Sequence, residues 1–314
     1  MHVDIRRVEY PYTQTELVPG GGQVIAIGDF DGVHLGHQEV IGRAVQEARS
    51  LGVPSAIMTF DPHPREVLGK PQFSRYITPI AEKMRLFAEL GIDHVYIVRF
   101  TEQLAQVSPE EYFERMLLPM HLKAIVVGFD FTFGHKGLGT AETLVRLADD
   151  RMRVHIVPPY HMYGEKVSST LIREQLHLGE LDRLRQLLGR RYRIEGTVVR
   201  GEGRGRTIGF PTANLELADR YVIPRQGVYA VKVSSGTDQW NGVMNIGTKP
   251  TFHGDDGQQV TLEVHLFDCN EDLYGRMLQV EFAAYLRPEM KFASVDMLIE
   301  QIRNDVRIAR QILA

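Results

Sequence analysis

The chain has 314 residues, 43% hydrophobic and 24% charged, which suggests about two globular domains with material for two cores. No apolar run approaches the roughly 18 residues of a membrane span, and the start, Met1-His2-Val3-Asp4-Ile5-Arg6-Arg7, lacks the apolar stretch of a secretory signal. The 36 Lys plus Arg against 40 Asp plus Glu give a net charge of −4, and neither half is the basic body of a nucleic-acid binder. The single cysteine, Cys269, forms no internal disulfide and by itself no thiolate zinc site. The expectation is a soluble, cytoplasmic protein with no membrane, nucleic-acid or obligate protein partner. Local basic clusters, Arg190-Arg191-Tyr192-Arg193 and Arg200 to Arg206, suit a small phosphorylated ligand.

In the first half, short apolar runs alternate with amphipathic helical stretches. Val24-Ile25-Ala26-Ile27 reads as a buried strand. Val40, Ile41, Ala44, Val45 and Ala48 then recur on one helical face, and Gly52 stands where a C-terminal cap belongs. Ser55 to Phe60 is the next strand. Thr78-Pro79 opens a helix as cap and first helical residue, with Met84, Phe87 and Leu90 sharing its face before Gly91 stops it. Val95 to Val98 is strand-like, and Ser108-Pro109-Glu110-Glu111 is a capping box. Ala124 to Val127 and Val154 to Val157 complete the series. This alternation predicts an α/β domain, a parallel sheet covered by helices.

Past Leu188, strands come without helices between them: Tyr192 to Val199, Val228 to Ser234, Trp240 to Ile246, Val260 to Phe267 and Leu278 to Tyr285. Turn signals such as Ser235-Gly236 and Asp255-Asp256-Gly257 separate them. A closing helix from about Ser294 carries Val295, Leu298, Ile299, Ile302 and Val306 on one face. This predicts a small antiparallel β-barrel with a helix packed on it. The join falls near Leu187 to Arg193, after the helical stretch Leu181 to Leu188, giving domains 1–187 and 188–314.

Between the first strand and the first helix lies Gly28-Asp29-Phe30-Asp31-Gly32-Val33-His34-Leu35-Gly36-His37. Open α/β sheets bind ligands at such a strand end, and a helix N-terminus favours phosphate. His34 and His37, three apart across a glycine, can turn both rings to one ligand and donate hydrogen bonds as charge builds on phosphorus. Surface histidines that merely cap a helix are the plain alternative, which the glycines and the placement weigh against. A zinc site lacks a third ligand at a convincing spacing.

The segment resembles the HxGH signature of the nucleotidyltransferase superfamily. In its extended form, GxFDGVHxGH, it resembles bacterial bifunctional riboflavin kinase/FAD synthetase. HxGH alone is shared with cytidylyltransferases, pantetheine-phosphate adenylyltransferases and class I tRNA synthetases, so other segments narrow the choice. Met58-Thr59-Phe60-Asp61-Pro62-His63-Pro64-Arg65 is similar to the family's TFDPHP stretch, and Gly128-Phe129-Asp130-Phe131-Thr132-Phe133-Gly134 to its second loop. Ser168-Ser169-Thr170-Leu171-Ile172-Arg173 is similar to its SSTxIR motif. That motif is also a good helix N-cap, and Arg173 supplies a fork for phosphate oxygens. Two positions depart from the family pattern. Asp29 stands where Asn is frequent and brings a negative charge near the phosphates, and Thr140 stands where an acidic residue is common.

Val199 to Asn214 is a second constellation, rich in glycine and arginine and ending in Pro211-Thr212-Ala213-Asn214. It is not a P-loop, since no Lys follows the glycines and no helix is expected after them. By composition alone a flexible hairpin reads better. The glycines permit close approach of backbone N–H groups to phosphate. Thr212 and Asn214 offer two neutral oxygens, which suits a Mg2+ that keeps its waters. The tetrapeptide resembles the metal-binding motif of riboflavin kinases. Glu263, between Leu262 and Val264, faces solvent in the commoner case; the resemblance implies that it is the base that accepts the ribityl 5′-hydroxyl proton. Asp272-Leu273-Tyr274-Gly275 and Leu286-Arg287-Pro288-Glu289-Met290-Lys291-Phe292 also look like family segments.

The resemblance implies a Rossmann-like nucleotidyltransferase domain followed by an antiparallel β-barrel riboflavin kinase domain with a terminal helix. It implies phosphorylation of riboflavin by ATP to FMN, then adenylylation of FMN by a second ATP to FAD, with Mg2+ as cofactor. Catalytic residues would be His34, His37, Arg173 and Glu263. Nucleotide contacts would come from Gly28, Phe30, Asp31, Gly36, Ser168, Ser169, Thr170, Gly203, Gly205, Arg206 and Gly209. Flavin contacts would come from Asp61, Pro62, Asp130, Phe131 and Arg287, and metal contacts from Thr212 and Asn214. A single retained activity, with the other domain a flavin-binding regulator, is countered by motifs in both halves. An RNA-interaction protein on a synthetase-like fold would show a KMSKS-type lysine loop, where Ser168 to Arg173 stands instead.

Overall fold

The structure, a computed structural model, describes residues 3–11, 22–70, 73–201, 203–250 and 258–314. Met1-His2, Glu202 and the turn signal Asp255-Asp256-Gly257 lie outside the described residues. The chain divides into two compact units, Met1–Ser169 and Thr170–Ala314.

In the first unit one parallel sheet holds β1 Asp4–Glu9, β2 Gln23–Ile27, β3 Ser55–Asp61, β4 His94–Arg99, β5 Leu122–Gly128 and β6 Arg153–Val157. Its order is β1-β4-β3-β2-β5-β6. Val24, Ile25 and Ala26 in β2 are fully buried; a central parallel strand is covered on both faces, so it reads as an unbroken apolar run. From β2 the chain steps outward to β3 on one side and later to β5 on the other. That reversal opens a crevice at the carboxyl ends of β2 and β5.

Helix α1, Leu35–Leu51, buries Val40, Ile41, Ala44, Val45 and Ala48 on one face of the sheet, beside Leu86 and Phe87 of α2, Ile80–Glu89. The helical run 109–120 and α3, Ala141–Ala148, cover the other face. Gly52 caps α1 at φ +64 with nothing within 4 Å of its would-be Cβ, so backbone handedness alone selects glycine there. Ser108 accepts the Glu111 N–H at 3.1 Å as expected, but the Glu111 carboxylate bonds Tyr10 Oη at 2.6 Å. The cap of α2 differs from expectation. Pro79 is its N-cap, with no side-chain capping bond, and the Thr78 N–H is given to Asp31 Oδ1 at 3.0 Å. Strand β1, with four charged residues among six, carried too little apolar pattern to be read as a strand.

In the second unit, α4 (Ser169–Leu178) and α5 (Leu181–Leu188) precede six antiparallel strands. These are β7 Arg193–Val199, β8 Ala213–Leu217, β9 Gly227–Ser235, β10 Asp238–Pro250, β11 Gln258–Leu266 and β12 Met277–Arg287. They close into a barrel in the order β7-β8-β11-β10-β9-β12. Strand β8 went unread because it starts inside Pro-Thr-Ala-Asn and buries only Leu215. Helix α5 lies against β12 with Leu181, Leu184, Leu187 and Leu188 buried, so this stretch packs with the barrel. Ser294 caps α6, Val295–Leu313, by accepting the Met297 N–H at 3.3 Å. Ala309 and Leu313 of α6 pack on Val228, Ala230 and Val243. Val295, expected on the buried face, is 59% exposed; burial begins a turn later, with Leu298 half-buried.

Candidate active sites

The loop from β2 into α1 is bent tightly. Phe30 (φ +55), Gly32 (φ +96) and Val33 (φ +40) all take left-handed backbone, which strains the two non-glycine residues. Their side chains are buried, at 3% and 1% exposure, and that packing holds the bend. His34 is the N-cap of α1, its Nδ1 accepting the His37 N–H at 3.3 Å, so the neutral ring carries its proton on Nε2. The His37 ring stacks on His34 with centroids 3.6 Å apart and meets Phe30 edge-on at 5.4 Å. A Cβ at Gly36 would stand 3.3 Å from the His34 ring. Two imidazoles thus converge at a helix N-terminus, beside the switch point of the sheet, where an anionic ligand is favoured.

Asp61 and Pro62 stand at the end of β3, and Asp130 and Phe131 beyond β5; these are the two neighbours of β2, so both pairs flank the histidine loop. Arg7 Nη1 lies 3.4 Å from Asp61 Oδ2, Lys166 Nζ donates to Asp130 at 2.6 Å, and Phe131 stacks on Phe133. Ser169 Oγ donates to the Asp31 carbonyl at 2.8 Å. Beside it are Ser168, half-buried, then Thr170, exposed, and Arg173, half-buried, in the first turn of α4. Asp31 itself is 2% exposed, and its Oδ1 accepts the Thr78 N–H at 3.0 Å, which anchors the loop to the start of α2.

Both departures from the family pattern have a local explanation. Thr140 is the N-cap of α3, accepting the Thr143 N–H at 3.3 Å, a task that an acidic residue also performs. The Asp29 carboxylate is answered by Lys83 Nζ at 3.6 Å and His63 Nε2 at 3.3 Å.

In the second unit the glycine-rich stretch forms one helical turn, Arg204–Thr207, where no helix was expected. Gly203 and Gly209 bracket it at φ +70 and +85. A Cβ on Gly201 would collide with the end of the Asn214 side chain, and one on Gly205 with the Phe210 backbone oxygen. The backbone contact with Phe210 demands glycine at 205, whereas at 201 the Asn214 side chain would have to turn aside. Asn214 pairs with Glu263 across β8 and β11. Leu262 and Val264 are buried in the barrel, whereas half-buried Glu263 lines a cavity of about 320 Å³ together with Gly205, Thr212 and Arg287. Arg206 is exposed nearby in sequence.

Arg287, expected as a flavin contact, lines this cavity while its guanidinium is bonded to α6. Its Nε and Nη2 donate to Asp305 at 2.8–3.0 Å and its Nη1 to the Pro288 oxygen at 3.0 Å. It ties β12 to α6. Among the described residues no group of three or more His, Cys, Asp or Glu could hold a metal ion. Thr212 and Asn214, neutral oxygens beside one carboxylate, fit a Mg2+ that takes its remaining ligands from water and phosphate.

A family model for FAD synthetase matches residues 19–171, and one for riboflavin kinase matches residues 188–313. Curated relatives called bifunctional riboflavin kinase/FMN adenylyltransferase align almost end to end. That of Listeria monocytogenes is 42% identical over 293 residues, 93% of each chain. That of Bacillus subtilis is 42% identical over 283 residues, 90% of each, and that of Escherichia coli 38% over 296, 93% of each. The chain belongs to the bifunctional riboflavin kinase/FMN adenylyltransferase family.

As a member of the riboflavin kinase/FMN adenylyltransferase family, it converts riboflavin and ATP to FMN, and FMN and ATP to FAD. A solved structure from Streptococcus pneumoniae, described as a macrolide-efflux protein, superposes with a TM-score of 0.89 at 36% identity, over 97% of this chain and 98% of that one. Among the described residues of this family member, no helix is long and apolar enough to cross a membrane.

Sequence reasoning passed over four side chains in these sites. Lys83 was not singled out, yet it lies four residues before buried Phe87 and shares its face. His63 sat unassigned within the TFDPHP stretch. His265, two after Glu263 and hence on the same strand face, has Nδ1 2.8 Å from the Pro211 oxygen, just before Thr212. Asp305, three after Ile302 on an apolar helix face, was a buried acid in need of a cation.

Proposed function

We propose that the two reactions are divided between two functional domains, 1–187 for adenylyl transfer and 188–314 for the kinase step. The observation that carries this reading is the separation of two site types: stacked histidines at a helix N-terminus in one, a cavity-facing carboxylate beside Asn214 in the other.

In the kinase step Glu263 takes the proton of the ribityl 5′-hydroxyl as that oxygen attacks the γ-phosphorus of ATP and the bond to ADP breaks. Positioning and charge neutralisation supply most of the catalysis in such transfers. Thr212 and Asn214 hold Mg2+, which when bound neutralises the phosphates, and Gly203, Gly205, Arg206 and Gly209 border the phosphate chain. In the adenylyl step an FMN phosphate oxygen bonds to the α-phosphorus of ATP and pyrophosphate leaves. His34 and His37 donate to the oxygens that gain charge. Backbone at Gly28, Phe30 and Gly36 and the groups of Ser168, Ser169, Thr170 and Arg173 hold the triphosphate. Asp61, Pro62, Asp130 and Phe131 border the flavin. Reliance on ATP suits a cytoplasmic setting.

The test is a time course with riboflavin, Mg·ATP and the full chain, separating FMN and FAD by chromatography. FMN should rise first and FAD should follow at its expense. FMN accumulating with no FAD would overturn the adenylyl assignment.

A further inference from the structure

We propose that Lys83 is a positioning residue for adenylyl transfer, setting the histidine loop through its buried ion pair with Asp29. The proposal rests on the assignment of that loop to the adenylyl step. The Lys83 residue is 1% exposed; its Nζ donates to the Asp29 carbonyl at 2.6 Å and lies 3.6 Å from Asp29 Oδ1. A lysine charge stays buried only where a partner offsets its lost hydration.

Asp29 is a junction of several elements. Its carbonyl also accepts Thr59 Oγ1 from β3 at 2.9 Å, and its Oδ2 accepts the Asp31 N–H at 3.2 Å. The same Oδ2 faces His63 Nε2 at 3.3 Å. His63 Nδ1 accepts the Arg65 N–H at 3.0 Å, which leaves the Nε2 proton directed at Asp29. One residue further, Phe30 turns left-handed, and its ring meets both Phe87 at 5.9 Å and His37 at 5.4 Å. Lys83 and Phe87, one turn apart on α2, therefore grip the loop at two successive residues, by charge at Asp29 and by packing at Phe30. From Phe30 the contact passes to His37 and, by stacking, to His34. Because Asp29 replaces a frequent Asn, the pair here is matched: each charge needs the other. The loop meets phosphate with its own carboxylate already compensated.

The test uses the full chain with Lys83→Met, Asp29→Asn, the double variant and Lys83→Arg. FAD formation from supplied FMN is measured, with FMN formation from riboflavin and thermal melting alongside. Lys83→Met should lower the adenylylation kcat about 10²-fold, as a small misplacement of reacting groups does, with the KM for ATP changed less and FMN formation retained. Adding Asp29→Asn should restore part of that loss by removing the charge that Lys83 had offset, and Lys83→Arg should keep more activity than Lys83→Met. FAD formation by Lys83→Met within about threefold of the parent overturns the proposal. So does a double variant whose losses simply multiply, or a parallel fall in riboflavin phosphorylation. Should Lys83→Met melt below the assay temperature, Lys83→Gln is read by the same criteria. His37→Ala in the same assay separates the two levels: unchanged FAD formation there removes the loop from the adenylyl step altogether.

Discussion

Asn214 and Glu263 are partners across β8 and β11, so an amide stands beside the carboxylate that lines the cavity with Thr212. Glu263→Gln keeps the shape and an acceptor oxygen but cannot take up a hydroxyl proton. FMN formation from riboflavin should fall about 10²–10⁴-fold, the usual worth of general-base assistance, while FAD formation from supplied FMN persists. Riboflavin turnover close to that of the parent would take the base role away from Glu263.

His37→Ala should lower FAD formation about 10²–10³-fold, as loss of one charge-stabilising donor does, with FMN formation persisting. Chromatography of both flavins from one reaction reads the two steps together. Equal loss of both products from a folded variant would contradict the assignment.

Much of the first site was legible because strand, glycines and histidines are contiguous in the chain. Its support was not: Lys83 and His63 reach Asp29 from positions 54 and 34 residues away in sequence, and only tertiary packing brings them there. The same limit explains β8, whose place in the barrel comes from pairing with β7 and β11 and not from its own pattern. Helix α5 read correctly as a helix, yet which core it joins depends on the face that Leu184 and Leu188 find.

Removing the partner of a buried ion pair costs about 3 kcal/mol or more. Asp305 is 2% exposed and takes three donor contacts from Arg287 as well as Gln301 Nε2 at 2.9 Å. Asp305→Ala should therefore lower stability on the order of 3 kcal/mol in denaturant unfolding and raise the KM for riboflavin. A variant as stable as the parent would mean that α6 is held by Ala309 and Leu313 alone.

Tyr112 is buried, with its hydroxyl against Met58 Sδ at 3.3 Å, and burial pushes its ionisation far above the ordinary 10.0. The unfolded chain ionises this tyrosine near its ordinary value, so the stability it contributes is intact below about pH 10 and drains away as pH rises beyond. Tyr112→Phe should flatten that alkaline loss in melting curves taken from about pH 9 to 11. An unchanged slope would place the loss elsewhere.

Cutting the chain offers a further check. Residues 170–314 should melt at a higher temperature than residues 188–314, because the shorter piece loses the buried leucines of α5 from its contact with β12. Equal melting temperatures would show that the helices add nothing to the barrel.

Closure of the barrel has one more consequence. With β7 bonded to both β8 and β12, the described strands of the kinase unit close into a ring, its shortest seam being β8–β11, paired at Ala213–Val264 and Asn214–Glu263. A ring has no outermost strand, so a visiting peptide or a second copy finds no full-length rim there along which to add. The parallel sheet differs, since β1 and β6 each have a strand on one side only. Four of the six side chains of β1 carry charge, Asp4, Arg6, Arg7 and Glu9, so its outer rim discourages adhesion between copies. Within the parallel sheet, strand addition therefore falls at one of those two rims.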